Sequence, residues 1–251
     1  MSTRRGGVSA PPFDTFNLSA AEPSAAGSDL ATAVAENRRR LAATLGARPV
    51  WLKQVHGTDV LRLTPALAAA DGAALCADAS VSTEPRLACA VLVADCLPLL
   101  MYSPNGRAVA AAHAGWRGLA AGVAERTLAM LCEAGSCAPG EVRVWLGACI
   151  GPQHFEVGAD VLDAFGTAPD RRDQPCFVYR PRPDGQVRWL ADLPALARRR
   201  LRQAGVTQIS GGHWCTVQDQ SRFFSFRRDA RIGSGGTGVT GRMVAAIAIV
   251  D

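Results

Sequence analysis

LACAVLVADCLPLLMYSPNGRAVAAAHAGWRG, residues 87–118, is the stretch whose reading decides the fold class. Leu87 to Ala94 is a nearly continuous apolar run, which predicts a strand covered on both faces. It ends in Asp95-Cys96-Leu97-Pro98. Leu99 to Tyr102 resumes as strand, and Ser103-Pro104-Asn105-Gly106 has the residues of a turn. Arg107 to Ala112 reads as a further strand that delivers His113, and Gly115-Trp116-Arg117-Gly118 leads into a helix from about Leu119 to Ala134.

Outward from this block, Leu30, Val34, Leu41 and Leu45 have helical spacing, so a helix is expected over Ser28 to Leu45, with Ser28 or Asp29 as N-cap. Val50 to Val55 reads as a strand ending at His56-Gly57, followed by short strands at Val60 to Leu63 and Ala77 to Thr83. On the C-terminal side, Val142 to Gly147 is a strand, Val157 to Phe165 helical, and 166–188 a charged, Pro-rich excursion. Leu190 to Ala204 is a helix, Val206 to Ser210 a strand, and a Gly-rich loop at 233–241 precedes a last strand, Met243 to Val250. No internal repeat is evident. Strands and helices intermingle, which predicts an α+β or mixed α/β fold. Residues 1–12, small, polar and Pro-bearing, read as a flexible terminus ahead of a single domain over 13–251.

The chain has 251 residues, 48% of them hydrophobic, enough to bury a sizeable core. No apolar run approaches the roughly 18 residues of a membrane span, and the N-terminus lacks the apolar segment of a secretory signal. A cytoplasmic protein without a membrane partner is the expectation. The net charge of +5 is almost wholly arginine, Lys53 being the one lysine, and the one dense cluster, Arg198 to Arg202, reads as the solvated face of a helix. Nucleic-acid binding is therefore not expected, whereas arginine forks suit a phosphate-bearing substrate. The eight cysteines include no CxxC, and without a signal sequence disulfides are not expected. Cys89 and Cys149 lie in apolar strands and read as core; Cys96 stands apart.

Four histidines are present, and His56 and His113 each end a predicted strand beside glycine, as Cys96 ends another. Strand ends are where open sheets place working groups. Two imidazoles and a thiolate suit a catalytic metal site with one coordination position left open. The spacing alone leaves two alternatives: a metal-free Cys/His nucleophilic pair, and capping or packing residues.

Five strings narrow the choice: QVHG at 54–57, ADCLPLL at 94–100, HAGWRG at 113–118, GACIGPQHFEVG at 147–158 and FFSFRRD at 223–229. In type and order they resemble the YfiH family, also labelled domain of unknown function 152 and laccase-like multicopper polyphenol oxidase. The resemblance runs from Phe16-Asn17-Leu18 to Gly241-Arg242. It implies a layered α/β/β/α sandwich with mixed sheets. It implies a zinc site made by His56, Cys96 and His113. It implies phosphorolysis of purine nucleosides (adenosine, inosine, guanosine, methylthioadenosine) and deamination of adenosine in the same pocket, so that the partners are a purine nucleoside and phosphate. One departure is visible: Gln153-His154-Phe155 stands where relatives often carry Cys-Cys-Tyr, which weakens any copper site there.

On these expectations the catalytic set is Cys96, His113, His56 and Asp95, with Asp95, Asp78 or Glu156 shuttling the proton. Arg117 is the phosphate contact, because it opens a helix four residues past His113. Asp78, Asn17 and Arg38 complete the substrate-binding set. Trp116 reads as packing before base-stacking, Arg227 and Arg228 as substrate contacts or surface ion pairs, and His154 and His213 as structural. Three rivals remain: copper-dependent phenol oxidation, for which four histidines are few; a cysteine-type hydrolase or cell-wall precursor editing factor, with Cys96 as nucleophile and His113 as base; and a metal-binding protein without turnover.

Overall fold

The structure, a computed structural model, describes residues 1–20, 29–69, 75–229 and 239–250. In chain order it contains α1 (Ala31–Leu45), β1 (Arg48–Val50), β2 (Val60–Arg62), α2 (Pro65–Ala69), β3 (Ala79–Ser82), β4 (Leu87–Val93), β5 (Leu97–Tyr102) and β6 (Val109–Ala114). There follow α3 (Trp116–Ala121), α4 (Val123–Gly135), β7 (Arg143–Leu146), β8 (Glu156–Val157), α5 (Ala159–Ala164), β9 (Phe177–Tyr179), β10 (Trp189–Ala191), α6 (Leu193–Gln203), β11 (Gln208–Gly211), α7 (Phe226–Asp229) and β12 (Met243–Ile247).

The apolar run at 87–93 becomes the central strand of a three-stranded sheet, order β1-β4-β12, parallel to β1 and antiparallel to β12. The hairpin β5–β6 sits at the centre of a six-stranded mixed sheet, order β11-β7-β5-β6-β3-β2. The alternation of side chains along β6 shows how the layers stack. Val109 and Ala111 pack with Val50, Leu87, Cys89, Val91 and Ala245 between the two sheets. Ala110, Ala112 and Ala114 face the other way, toward Leu119, Leu128 and Leu131. On the outer face of the smaller sheet, Ala90 and Val244 meet Leu18 and Leu41 of α1. The order of layers is therefore α1, small sheet, large sheet, then α4 with α6: an α+β fold in an α/β/β/α sandwich, as expected. The 166–188 excursion folds back to give β9, which joins β8 and β10 in a small antiparallel sheet.

Several boundaries differ from the sequence reading, each for a local reason. The helix expected from Leu119 to Ala134 is two helices, because Gly122 takes φ +102° and breaks the ladder. The helix expected from Leu190 starts at Leu193, where the Asp192 carboxylate accepts from Ala195 N at 2.8 Å; Trp189–Ala191 before it is strand. Val157 pairs in β8, and the helix after it begins at Ala159. The strand expected to Val55 stops at Val50. Beyond it, the Gln54 side-chain amide replaces backbone pairing, accepting from Leu92 N at 2.7 Å and donating to Leu92 O at 2.8 Å. Arg198 and Arg200, read as a solvated face, instead bond Gly211 O and Glu125 and tie α6 to β11 and α4.

Residues 1–12, expected to be flexible, are tied in: Ser2 N donates to Val244 O, Val244 N to Ser2 Oγ, and the Arg4 guanidinium lies over the Phe224 ring. Asp29 does not cap α1; it bonds Leu30 N and Asn17 Nδ2. Ser28, the alternative cap, and most of the 233–241 loop lie outside the described residues.

Candidate functional site

The layering brings the carboxyl ends of β4 and β6 and the amino end of β5 together. Cys96 occupies the β4–β5 connection, and His113 is the fifth residue of β6, paired across the hairpin with Pro98. His56 arrives from the loop after β1 and has φ +60°. The three side chains converge: His56 Nε2 is 3.8 Å from Cys96 Sγ, the imidazole centroids are 4.8 Å apart at 74°, and one ligand atom from each lies within 4.8 Å of the others. Tetrahedral coordination by imidazole and thiolate at ordinary bond lengths places donor atoms roughly 3.4–3.6 Å apart. The donor set therefore fits a metal ion held by two nitrogens and one sulfur.

Asp78 organises two of the three. It is fully buried. Its Oδ1 accepts from His56 N at 2.9 Å and faces His113 Nδ1 at 2.8 Å, while its Oδ2 accepts from Val55 N at 3.1 Å and Gly57 N at 2.7 Å. Three successive backbone N–H groups pointing at one carboxylate explain the left-handed conformation at His56. The contact at Nδ1 leaves His113 Nε2 for the metal. Burial works against ionisation of Asp78, but His113 and the backbone donors prevail and hold its carboxyl below the usual range.

Charge at the cluster follows the same logic. Burial pushes the Cys96 thiol up, yet His113 and His56 beside it reverse the shift and bring it down to about 6. Burial lowers His113, and the flanking Asp78 and Cys96 raise it to about 9. The metal-free cluster thus pairs a thiolate with an imidazolium, and a bound cation would displace the proton held by His113.

The cluster forms one wall of a cavity of about 580 Å³. Leu52, Leu92, Ile150, Phe155 and Leu193 make an apolar section, and Arg117, Arg227 and Arg242 supply positive charge. Such a mixture suits a flat, partly apolar ligand bearing an anionic group.

Of the residues expected at the site, His56, Cys96, His113, Asp95 and Arg117 line this cavity; Asp78, Asn17 and Arg38 do not. Asp78 has no exposed surface with which to touch substrate. Asn17 is buried, its Oδ1 accepting from Ser19 N and Arg242 N and its amide donating to Asp29. The Arg38 guanidinium lies 4.0 Å over the Trp51 ring and donates to Leu18 O; burial lowers its pKa to about 10. Asp95 reaches the cavity wall, but each of its oxygens accepts an internal bond, from Thr216 Oγ1 at 2.5 Å and Arg227 N at 2.6 Å. It fixes the start of α7 beside the cluster, a positioning role that its φ of +95° reflects. Glu156 pairs with Arg182 away from the cavity. Arg117 is exposed and stacks on Trp116 at 4.3 Å. The helix it opens, α3, is only six residues long. Arg228 pairs with Asp229, and His154 and His213 line a neighbouring cavity.

Gln54, Phe226 and Arg242 are further wall residues that sequence reasoning passed over. Gln54 sits inside the QVHG string and Arg242 closes the last matching block, so the strings held the available signal.

A four-layer α+β sandwich that presents two imidazoles and a thiolate at one cavity wall is a protein of metal-site architecture. Comparison with known proteins then places it. The family model described as multi-copper polyphenol oxidoreductase laccase matches residues 1–250, and the chain belongs to that family. It is 47% identical over 233 residues to a Pseudomonas aeruginosa protein named purine nucleoside phosphorylase, covering 93% of this chain and 88% of the relative. It is 46% identical over 234 residues to the Escherichia coli purine nucleoside phosphorylase YfiH, covering 92% and 88%. Among solved structures, a Neisseria meningitidis protein described as belonging to a domain family of unknown function superposes with TM-score 0.82 at 41% identity, over 99% of this chain and 92% of that one. YlmD of Geobacillus stearothermophilus does so with TM-score 0.82 at 33%, over 99% and 90%. No helix among the described residues is long and apolar enough to cross a membrane.

Proposed function

We propose that this protein is a zinc-dependent purine nucleoside phosphorylase, acting on adenosine, inosine, guanosine and methylthioadenosine, and that the same cavity deaminates adenosine. The observation that carries the reading is one cavity bearing both the His56/Cys96/His113 donor set and three arginines beside apolar walls. The names of the relatives at 46–47% identity support it.

In phosphorolysis a phosphate oxygen bonds to C1′ of the ribose as the C1′–N9 bond breaks. The electron pair leaves on N9, and the base takes up a proton. The chain's residues contribute in three ways. The apolar section formed by Ile150, Phe155 and Leu193 accepts the purine and displaces water. The arginines hold the phosphate oxygens and offset its charge against the developing ribosyl cation. Asp78 keeps His113 and His56 in register at the reacting end. Zinc held by His56, Cys96 and His113 would supply Lewis acidity there, the property that deamination needs to activate water.

The family description names copper. Laccase chemistry calls for many imidazoles, and of the four histidines in this chain, His154 and His213 belong to the adjacent cavity. A second reading, thiol-dependent hydrolysis, is favoured by one observation, the Cys96 thiol near 6 beside two imidazoles. The test is to incubate purified protein with inosine or adenosine, with and without phosphate, and to measure metal content. Ribose 1-phosphate formed only with phosphate, one zinc per chain, and loss of both turnover and zinc in Cys96→Ala are expected. Phosphorolysis at the wild-type rate in Cys96→Ala overturns the assignment. Turnover that ignores phosphate and survives metal removal selects the hydrolase.

A further inference from the structure

The three cavity arginines differ in what already occupies them. Arg117 is exposed and lies against the ring of its own neighbour, Trp116. Arg227 donates Nη1 to the carbonyls of His154 and Glu156, both at 3.3 Å. Arg242 is partly buried, and that burial pulls its pKa down against the through-space influence of Cys96 and Asp95. Its Nη1 donates to Thr240 O at 3.1 Å and Gly241 O at 3.3 Å. Its Nε and Nη2 have no acceptor, and no carboxylate pairs with it, among the described residues.

A partly desolvated guanidinium without a paired carboxylate gains from an anion that completes it. The backbone around Arg242 is built to hold it there. Arg242 N donates to the buried Asn17 amide at 2.9 Å, and Arg242 O accepts from Leu18 N at 3.2 Å, so the chain is clamped on both sides just before β12. The Phe226 ring stands 5.9 Å from the guanidinium carbon and lines the same cavity as the His56/Cys96/His113 cluster. The result is a fixed planar fork with two donors uncommitted, which matches two oxygens of a tetrahedral oxyanion.

We infer that Arg242, rather than the exposed Arg117, is the residue that binds the inorganic phosphate co-substrate, with Asn17 as the positioning residue behind it. This rests on the phosphorylase reading for the identity of the anion. It also gives Asn17 its place: 225 residues away in sequence, it reaches the site through the Arg242 backbone and not through substrate.

The experiment measures phosphate binding separately from turnover. Inorganic phosphate is titrated into the metal-loaded protein by ³¹P NMR or calorimetry, for wild type, Arg242→Gln, Arg242→Lys, Arg117→Gln and the surface control Arg62→Gln. Adenosine 5′-monophosphate serves as a second probe, to distinguish free phosphate from a phosphate carried by the nucleoside. Inosine affinity, zinc content and thermal midpoint are recorded for each. Arg242→Gln is expected to weaken phosphate binding and raise the phosphate KM by roughly 10–100-fold, the loss expected for a charge-assisted pair. Inosine affinity and zinc content should stay within about 2-fold. Arg242→Lys keeps the charge without the fork and should fall between. Arg62→Gln should match wild type and Arg117→Gln should shift less than Arg242→Gln.

Phosphate binding unchanged in Arg242→Gln overturns the inference, as does wild type that binds no phosphate, or weakening confined to the nucleotide probe. If Arg242→Gln does not fold, Arg242→Lys carries the decision: phosphate affinity equal to wild type in Arg242→Lys overturns it. If phosphate binding depends on Arg242 and no nucleoside is cleaved, the phosphate site stands and the phosphorylase reading falls.

Discussion

Asp78 has no solvent exposure, yet four N–H groups from two separate segments meet its carboxylate. Asp78→Asn preserves shape but removes the charge and forces an amide N–H toward one of those donors. Metal affinity should fall about 10–100-fold, as for other partners of ligating histidines, which competition with a chromogenic chelator would measure. Cys96 offers a test by pH. Its thiol is lowered from 9.0 to about 6, so in the metal-free protein alkylation of Cys96 by iodoacetamide should reach half its maximal rate near pH 6. The stability linked to this thiolate is complete above the unfolded value of 9.0 and is lost as pH falls through about 6. His113, raised from 6.5 to about 9, runs the opposite way: its contribution is complete below 6.5 and is lost as pH rises through about 9. The two linkages run in opposite directions and nearly cancel, so urea titrations at pH 5, 7.5 and 10 should show nearly equal contributions from the metal-free cluster at 7.5 and 10 and a slightly smaller one at 5.

At the scale of the element, the turn between β6 and α3 limits how closely the ligands pack. Gly115 has φ −62°, so alanine suits its backbone. A Cβ there would stand 2.8 Å from His56 Cδ2 and 3.1 Å from Cys96 Sγ. Gly115→Ala should push His56 and Cys96 apart, lowering metal content at least several-fold in elemental analysis while the thermal midpoint moves little. Elements whose pattern is local were legible: β4 from its apolar run, β5 and β6 from the turn between them, α1 from its helical spacing. The break at Gly122, the early end of β1 and the late start of α6 were not. Each depends on a conformation or a side-chain bond, such as Gln54 on Leu92, that hydrophobic periodicity does not record.

Across the whole molecule, the sandwich separates stability from chemistry. Leu99 lies on the helix-facing side of β5, fully buried, while Cys96 and His113 lie at the end of the hairpin. Leu99→Ala should cost about 2–5 kcal/mol in urea unfolding, from lost burial and the cavity left behind, with metal content per folded chain unchanged. The sequence by itself showed which strands are buried and which three side chains are candidate metal ligands, because hydrophobic runs and donor types belong to residues singly or to near neighbours. The sandwich order, and the placing of His56, Cys96 and His113 at one wall, were expected from the matching strings, and the layered structure meets that expectation. Only the tertiary structure decided that Asp78 and Asn17 work behind the site and that Arg242 stands in it. Those roles depend on sheet register and burial between segments as far apart as residues 17 and 242, where one hydrogen bond at 2.9 Å fixes what no local pattern encodes.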